Sequence, residues 1–281
     1  MKGDIDILMI TFNRAEYTKL ALARLLDTCD DHMRVWVWHN GSDGETLRVV
    51  EDLSHHPRLY RFTHSLKNMK LNAPTNWLWR NAEGSFLSKV DDDCLMPYGW
   101  AETLRAAHRD NPEFGVLGCW RFPEEDFIPQ LAHKKIQEFS GGHRLLRNCW
   151  IEGSGYLMKR QCVGGAGFLR DSEGFTSYCI RLARQGWIHG WYYPFLYQEH
   201  FDDPRSKHSQ LRNDSDIRHW APLSAINNGV KSVDEWQAQL RRSAELLQRA
   251  PYDPKFYIGW RKQFKRLHGR IKRLVGCKRQ W

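Results

Sequence analysis

The order of apolar and polar residues in the first half of the chain follows two periods. Short runs dense in β-branched and aromatic residues predict strands, and stretches with apolar positions every three or four residues predict amphipathic helices. Strands are predicted over residues 4–12, 33–40, 58–64, 85–90 and 115–122, and helices over 15–29, 44–55, 73–82 and 97–110. This alternation predicts βαβ units and a largely parallel sheet.

The second half is less regular. Residues 123–148 show neither period and contain Gly141-Gly142, so we expect a loop or a lid there. Further predicted elements are a strand over 153–160, a helix over 175–186, an extended run over 191–200, a polar loop over 200–214 and a helix over 232–250, which Ser232 would cap. We therefore expect a domain over 1–225 and a helical C-terminal extension over 226–281.

The end of this extension accounts for the whole net charge of +9. Residues 255–281 contain ten Lys/Arg and no acid, while the rest of the chain has 32 Lys/Arg against 33 Asp/Glu. Apolar residues in this tail recur every three or four positions, which predicts an amphipathic helix with a basic face. Such a helix binds an anionic membrane surface, or it packs on the domain and leaves its basic face in water.

Composition narrows the class of protein. Thirteen Trp and 41% hydrophobic residues are typical of a globular chain. The sequence has no apolar run of 18 residues and no signal-peptide pattern at its start. Its seven cysteines are scattered without a CxxC, which argues against a zinc site or a disulfide framework. We expect a cytoplasmic protein, peripheral at the inner face of the membrane if the tail binds lipid.

Three consecutive aspartates, Asp91, Asp92 and Asp93, follow the predicted strand 85–90. In open α/β sheets, ligands bind beyond the carboxyl ends of the strands. Adjacent carboxylates repel one another, and a hard divalent cation such as Mg²⁺ would offset that repulsion while binding substrate phosphates. The alternative is a solvated loop or a cap for a helix starting near Pro97.

Several short motifs occur in a specific order: "ITFNR" at 10–14, "HNGSDGET" at 39–46, Asn68, Asn76, Gly84 and "FLSKVDDD" at 86–93. This order resembles the family 2 glycosyltransferases over about residues 4–100, with weaker similarity to about 200. The resemblance implies the GT-A fold, an α/β nucleotide-sugar-binding fold with a mostly parallel sheet flanked by helices. It also implies transfer of a sugar from a nucleotide-diphosphate sugar, by default a UDP-sugar.

The resemblance further implies roles for individual residues. Asp93 and Asp91 would hold Mn²⁺ or Mg²⁺, with His200 completing the metal shell. Contact with the nucleotide sugar is implied for residues of the matched motifs: Thr11, Asn13, Arg14, Asn40, Ser42, Asn76, Asp91 and Asp92.

A second dense polar cluster, "EHFDDPRSKHS" at 199–209, contains His200. Arg205 and Lys207 in this cluster could clamp the diphosphate of the leaving nucleotide. The alternative is a salt-bridged loop in which Asp202 and Asp203 order Arg205.

The chain departs from the family pattern at three places, one of which is Lys70 in place of an expected Gly. His39 stands where the family usually has Asp near the base, so the donor nucleotide stays open. The acidic pair that contains the general base of inverting members has no clear equivalent. Glu173, Asp171 and Glu152 are the candidates for the base, and each could instead be a surface or capping acid. Inversion or retention stays open.

The leading hypothesis is a metal-dependent glycosyltransferase acting on a glycan or lipid-linked acceptor, in cell-envelope glycan synthesis at the inner membrane face. The second is the same chemistry on nucleic acid, such as hydroxymethylated DNA bases, with the tail neutralising phosphates. The third is a non-catalytic nucleotide-sugar-binding protein.

Overall fold

The computed structural model describes residues 3–258. The alternating elements predicted for the first half are confirmed: β1 Ile5–Thr11, α1 Ala15–Asp27, β2 Met33–Asn40, α2 Gly44–Leu53, β3 Leu59–Ser65, α3 Asn72–Asn81, β4 Phe86–Asp91 and α4 Trp100–Asp110. Helix α4 begins three residues later than predicted, because Gly99 before it has a left-handed φ of 72°. The predicted amphipathic helix of the tail lies almost entirely outside the described residues.

The second half adds seven strands and six helices to the described part of the chain. They are β5 Cys94–Leu95, β6 Phe114–Gly118, α5 Pro129–Ala132, β7 Ile136–Glu138, β8 Arg144–Asn148, β9 Tyr156–Lys159, α6 Arg160–Ala166, α7 Phe175–Ala183, β10 Ile188–Tyr193, β11 Glu199–His200, α8 Ile217–Trp220, α9 Leu223–Asn227 and α10 Val233–Arg249.

The expectation of a loop or lid over 123–148 is wrong. Strand β8 pairs antiparallel with β10 inside the sheet, and β7 pairs with β8 at its edge. Only Leu145 and Leu146 are apolar in β8, and both are buried. Arg144 and Arg147 next to them lie over the rings of Tyr193 and other aromatic residues. Because these arginines take positions that apolar residues usually occupy, hydrophobic periodicity does not predict the strand.

Nine strands form one sheet in the order β3-β2-β1-β4-β9-β6-β10-β8-β7. Strands β9 and β8 run antiparallel to the others, so the sheet is mostly parallel, with helices packed on it. The parallel strands β2, β1 and β4 end together, because Thr11 pairs with His39 and Ile10 pairs with Asp91. The aspartates therefore lie at the carboxyl edge of the sheet, as expected.

A second, two-stranded sheet brings a distant segment to this edge. Strands β5 and β11 are antiparallel, with Cys94 opposite His200 and Leu95 opposite Glu199. The pairing places the 199–209 cluster directly against the aspartates.

Helix α10 carries the described part of the C-terminal extension. Ser232 accepts a hydrogen bond from the backbone N–H of Glu235 (3.2 Å), which confirms the predicted cap. The buried residues Trp236, Leu240 and Ala244 of α10 join the hydrophobic core on one side of the sheet. The division of the chain at residue 225 stays a prediction. Within residues 3–258, helices long and apolar enough to cross a bilayer are absent.

Candidate metal and nucleotide-sugar site

Asp93 and His200 face each other across the small sheet. The Nε2 atom of His200 lies 3.8 Å from Oδ1 of Asp93. The thiol of Cys94 completes a group of three possible ligand atoms within 4.8 Å of one another. Burial raises the pKa of this thiol well above its ordinary value, so Cys94 stays a neutral thiol and is a poor ligand for a hard cation.

The protonation of Asp93 and His200 suits a metal site. Burial alone would raise the pKa of Asp93, but His200 and Arg14 outweigh it and hold that pKa below its usual range. Burial lowers the pKa of His200. An ionised carboxylate beside a neutral imidazole is the donor set that Mn²⁺ accepts. These residues therefore fit the implied cation.

Asp91 ends β4 and is more open than Asp93. Its side chain is 36% exposed, and its carboxylate forms an ion pair with Nζ of Lys89, which is nearly buried. Lys89 was not among the residues predicted for the site. The only signal was a charged residue inside the apolar run two positions before Asp91, which places both side chains on one face of the strand.

Asp92 turns towards the start of α1. Its Oδ2 accepts hydrogen bonds from the backbone N–H of Phe12 (3.2 Å) and the hydroxyl of Thr18 (3.3 Å). Burial, followed by the charge of Asp93, raises the pKa of Asp92 to about 7. Asp92 thus fastens the β1–α1 connection to the strand end.

Arg14 joins the two polar clusters. Its guanidinium donates to Asp93 (3.0 Å) and to Asp202 (3.1 Å), and its backbone N–H donates to the hydroxyl of Thr46. Arg14 was predicted to lie beside the nucleotide, whereas Asp202 was predicted only to order Arg205. No local pattern links Arg14 to a residue so distant in the chain.

The remaining residues implied from the first two motifs lie at the same edge. Thr11 hydrogen-bonds Nδ1 of the buried His39 (2.9 Å), and Asn13 and Ser42 are exposed. Asn40 is buried, and its amide binds backbone groups of Met69 and Lys70. Asn40 therefore holds the loop after β3.

Asn76 and Arg205 were predicted to contact the nucleotide-sugar donor, but their side chains bind other residues of the protein. The amide of Asn76 binds both the N–H and the carbonyl of Leu169. The guanidinium of Arg205 binds Asp126 and Asp203 at 2.7 to 2.9 Å. For Arg205 this geometry matches the salt-bridged loop, the alternative interpretation of the cluster.

The three candidate bases lie in different settings. Glu173 accepts from the guanidinium of Arg181 at 2.7 and 3.1 Å, and this bonding outweighs burial and lowers the pKa of Glu173. Asp171 is exposed. Glu152 pairs with Nε of Arg121 (2.7 Å), while its Oε2 is buried without a hydrogen-bond partner. The charge of Glu152 also acts on the pKa of His200. This places Glu152 near the pair of candidate metal ligands.

The chain matches a known sequence family. The sequence model for Glycosyl transferase family 2 covers residues 6–172. No curated protein matches the chain in sequence.

Solved structures share the fold at low sequence identity. The mannosyltransferase PcManGT from Pyrobaculum calidifontis, in complex with GDP-Man and Mn²⁺, has a TM-score of 0.59 and 18% identity over 88% of this chain and 70% of its own. S. aureus TarS 1–349 with UDP-GlcNAc gives 0.54 and 15% over 70% of this chain and 58% of its own. GalNAc-T7 with UDP, GalNAc and Mn²⁺ gives 0.55 and 11% over 70% of this chain and 44% of its own. The expected GT-A fold is thereby confirmed.

Proposed function

The chain belongs to Glycosyl transferase family 2, and on this premise we propose that it transfers a sugar from a nucleotide-diphosphate sugar to an acceptor hydroxyl with Mn²⁺ or Mg²⁺ as cofactor. The family makes the protein an enzyme of this class, so the hypothesis of a non-catalytic binding protein is set aside. Structures of the same fold contain GDP-Man or UDP-GlcNAc, and two contain Mn²⁺. These complexes support a nucleotide-sugar donor, and a UDP-sugar stays the default choice.

The contact between Asp93 and His200 carries this proposal. It joins the end of the aspartate motif to a histidine from a distant segment, with a carboxylate oxygen and an imidazole nitrogen 3.8 Å apart. Asp91, at the end of β4, lies outside the group of ligand atoms formed by Asp93, Cys94 and His200 and pairs with Lys89. It would supply a further oxygen after turning from Lys89. A divalent cation held here would neutralise the charge that develops on the departing diphosphate. Arg14 keeps the carboxylate of Asp93 in place and ionised for this role.

We propose Glu152 as the general base; like Glu173 it pairs with an arginine, in this case Arg121. Its side chain is partly exposed and faces Arg121, whose charge also acts on Asp93. Glu173 is held by Arg181 with a lowered pKa, which weakens it as a proton acceptor. The position of Glu152 would let it take the proton of an acceptor hydroxyl near the cation.

Calorimetry with a panel of nucleotide sugars, including UDP-GlcNAc and GDP-mannose, tests this function. We expect one donor to bind only with Mn²⁺ or Mg²⁺, and Asp93→Ala to abolish that binding. Asp52→Ala, at an exposed position on α2, is the matched control and should bind as wild type does. Binding without a metal requirement, or unchanged binding by Asp93→Ala, would refute the proposed site.

The acceptor that we propose is a glycan or a lipid-linked glycan of the cell envelope. Residues 255–281 carry ten Lys/Arg without an acid, and such a segment is attracted to anionic lipid headgroups. The enzyme would then act in the cytoplasm, at the inner face of the membrane.

A further inference from the structure

A groove of about 430 Å³ opens beside the candidate metal ligands. Residues from three segments line it, among them Arg121, Phe122, Tyr197, Glu199, His200 and Lys207. His200 belongs to the candidate metal pair, and Arg121 is the ion-pair partner of Glu152, the candidate base. The groove is therefore next to both groups that an acceptor hydroxyl has to reach. Of the residues implied for the metal and the donor, it is lined by His200, Arg205 and Lys207, and Arg205 is already held by acids.

Tyr197 forms an aromatic wall of this groove. It is 39% exposed, and its ring packs edge-on against Phe195 at 5.8 Å. Phe195 is in turn stacked on the buried Trp120 at 4.6 Å. A tyrosine supported in this way presents a fixed apolar face at little entropic cost. The C–H face of a sugar ring is a suitable partner for such a surface.

Lys207 supplies the positive charge of the groove that is available to a ligand. Arg205 in the same wall is neutralised by Asp126 and Asp203. Glu199 accepts hydrogen bonds from Ser206 and His208. Lys207, by contrast, is exposed, and its ammonium has no ion-pair partner among residues 3–258.

A second groove adjoins the first and shares lining residues with it. It has a volume of about 580 Å³, and the shared residues are Tyr197, Glu199 and Lys207. Lys19 and Arg24 of α1 extend its wall, with Asp27 as the acid among them. The two grooves together form a trough whose lining has five Lys/Arg against three acids, Asp27, Glu199 and Asp203. This excess of positive charge favours an anionic ligand.

We propose that this trough binds the acceptor, and that the acceptor is a glycan with an anionic group, a carboxylate or a phosphate. The sugar ring would lie on Tyr197 and the anionic group would bind Lys207. This inference rests on the proposed function, because it assigns the acceptor of the same site. The volumes fit a few sugar residues better than an extended nucleic-acid strand, which needs a series of exposed aromatic rings.

Ligand-observed NMR titration of the full chain, with Mn²⁺ replaced by diamagnetic Mg²⁺ and with UDP or GDP present, tests this proposal. The probes are methyl β-D-glucuronide, glucose 6-phosphate and the neutral methyl β-D-glucoside. We expect at least one anionic probe to bind at least fivefold more tightly than the neutral one, and the two anionic probes distinguish carboxylate from phosphate. Lys207→Met should remove this preference, Tyr197→Ala should weaken all three probes, and Lys231→Met should change nothing.

Four results would overturn the inference. The first is equal binding of charged and neutral probes, and the second is a preference for the anionic probes that survives Lys207→Met. The third is a thymidine oligonucleotide that binds the trough more tightly than the sugars. The fourth is a loss of UDP or GDP affinity in Lys207→Met. The last result would assign Lys207 to the donor diphosphate. Metal-dependent donor binding, measured separately by calorimetry, reports on the proposed function itself. An intact probe preference without any donor binding would reject that function while leaving the trough a glycan site.

Discussion

Asp93 and Asp202 share the guanidinium of Arg14, with N–O distances of 3.0 and 3.1 Å. One guanidinium thus contacts two carboxyl groups that are nearly buried. Burial, and after it the charge of Asp93, raises the pKa of Asp202 well above its ordinary value. The trio ties the β1–α1 connection, the aspartate motif and the 199–209 cluster together at the edge of the sheet.

Replacing Arg14 by Met should therefore destabilise the protein. Removing one partner of a buried ionic cluster leaves uncompensated charge, and for this partly exposed arginine we expect a loss of about 2 kcal/mol in the free energy of unfolding. Urea unfolding without added metal measures it. The double variant R14M/D93N should recover much of the loss, because it also removes the ionised carboxylate that Arg14 compensates. An unchanged free energy in R14M, or no recovery in the double variant, would contradict this compensation.

Glu152→Gln should separate donor binding from catalysis. Loss of a general base typically slows the reaction by at least about 100-fold, while the amide keeps the size of the side chain. We expect the rate of metal-dependent donor hydrolysis, measured as release of the nucleoside diphosphate, to fall by this factor with unchanged donor affinity.

Glu173→Gln is the matched comparison. It weakens the contact with Arg181 and should cost stability, with donor hydrolysis within a few-fold of wild type. A slow Glu173→Gln enzyme beside a normal Glu152→Gln enzyme would reverse the assignment of the base.

The site shows what the sequence could and could not predict. Strand–helix alternation places Asp91 at a carboxyl strand end, because that position follows from periodicity alone. The partner Asp202 is invisible to the same reasoning, since its contact with Arg14 depends on the pairing of β5 with β11. Likewise, Asn76 belongs to a sequence motif, but its amide binds the backbone of Leu169, a contact that depends on how a distant loop packs. Order along the chain predicts elements, and long-range packing decides side-chain partners.

Acid should destabilise the fold through two buried histidines. His189 accepts the N–H of Val116 at Nδ1 and binds the carbonyl of Cys179 through Nε2, so it is held neutral. His108 binds the carbonyl of Leu157. Burial lowers the pKa of each to about 3 from an ordinary value of 6.5. The unfolded state therefore binds more protons below pH 6.5, and each histidine should cost roughly 2 kcal/mol between pH 7 and pH 5.

Unfolding free energies of His189→Gln across this interval provide the check. Gln can still donate to the carbonyl of Cys179 but does not titrate, so the loss between pH 7 and pH 5 should shrink by roughly 2 kcal/mol relative to wild type. His55→Gln, at an exposed position, should keep the wild-type slope. The same slope in all three proteins would show that His189 is not the group that gains the proton.

Deletion of residues 259–281 tests the role of the basic tail. It removes nine of the ten Lys/Arg of the segment 255–281, and each basic residue near an anionic bilayer contributes about 1 kcal/mol. Full-length protein should therefore sediment with phosphatidylserine-containing vesicles at low salt, release them at high salt and ignore pure phosphatidylcholine, while the truncated protein should stay in the supernatant. Donor binding by the truncated protein verifies that the domain remains intact, because the candidate metal ligands all lie before residue 259. Vesicle binding that persists after truncation would place the membrane contact elsewhere, and salt-sensitive binding of full-length protein to duplex DNA without binding to vesicles would favour nucleic acid as the partner of the tail.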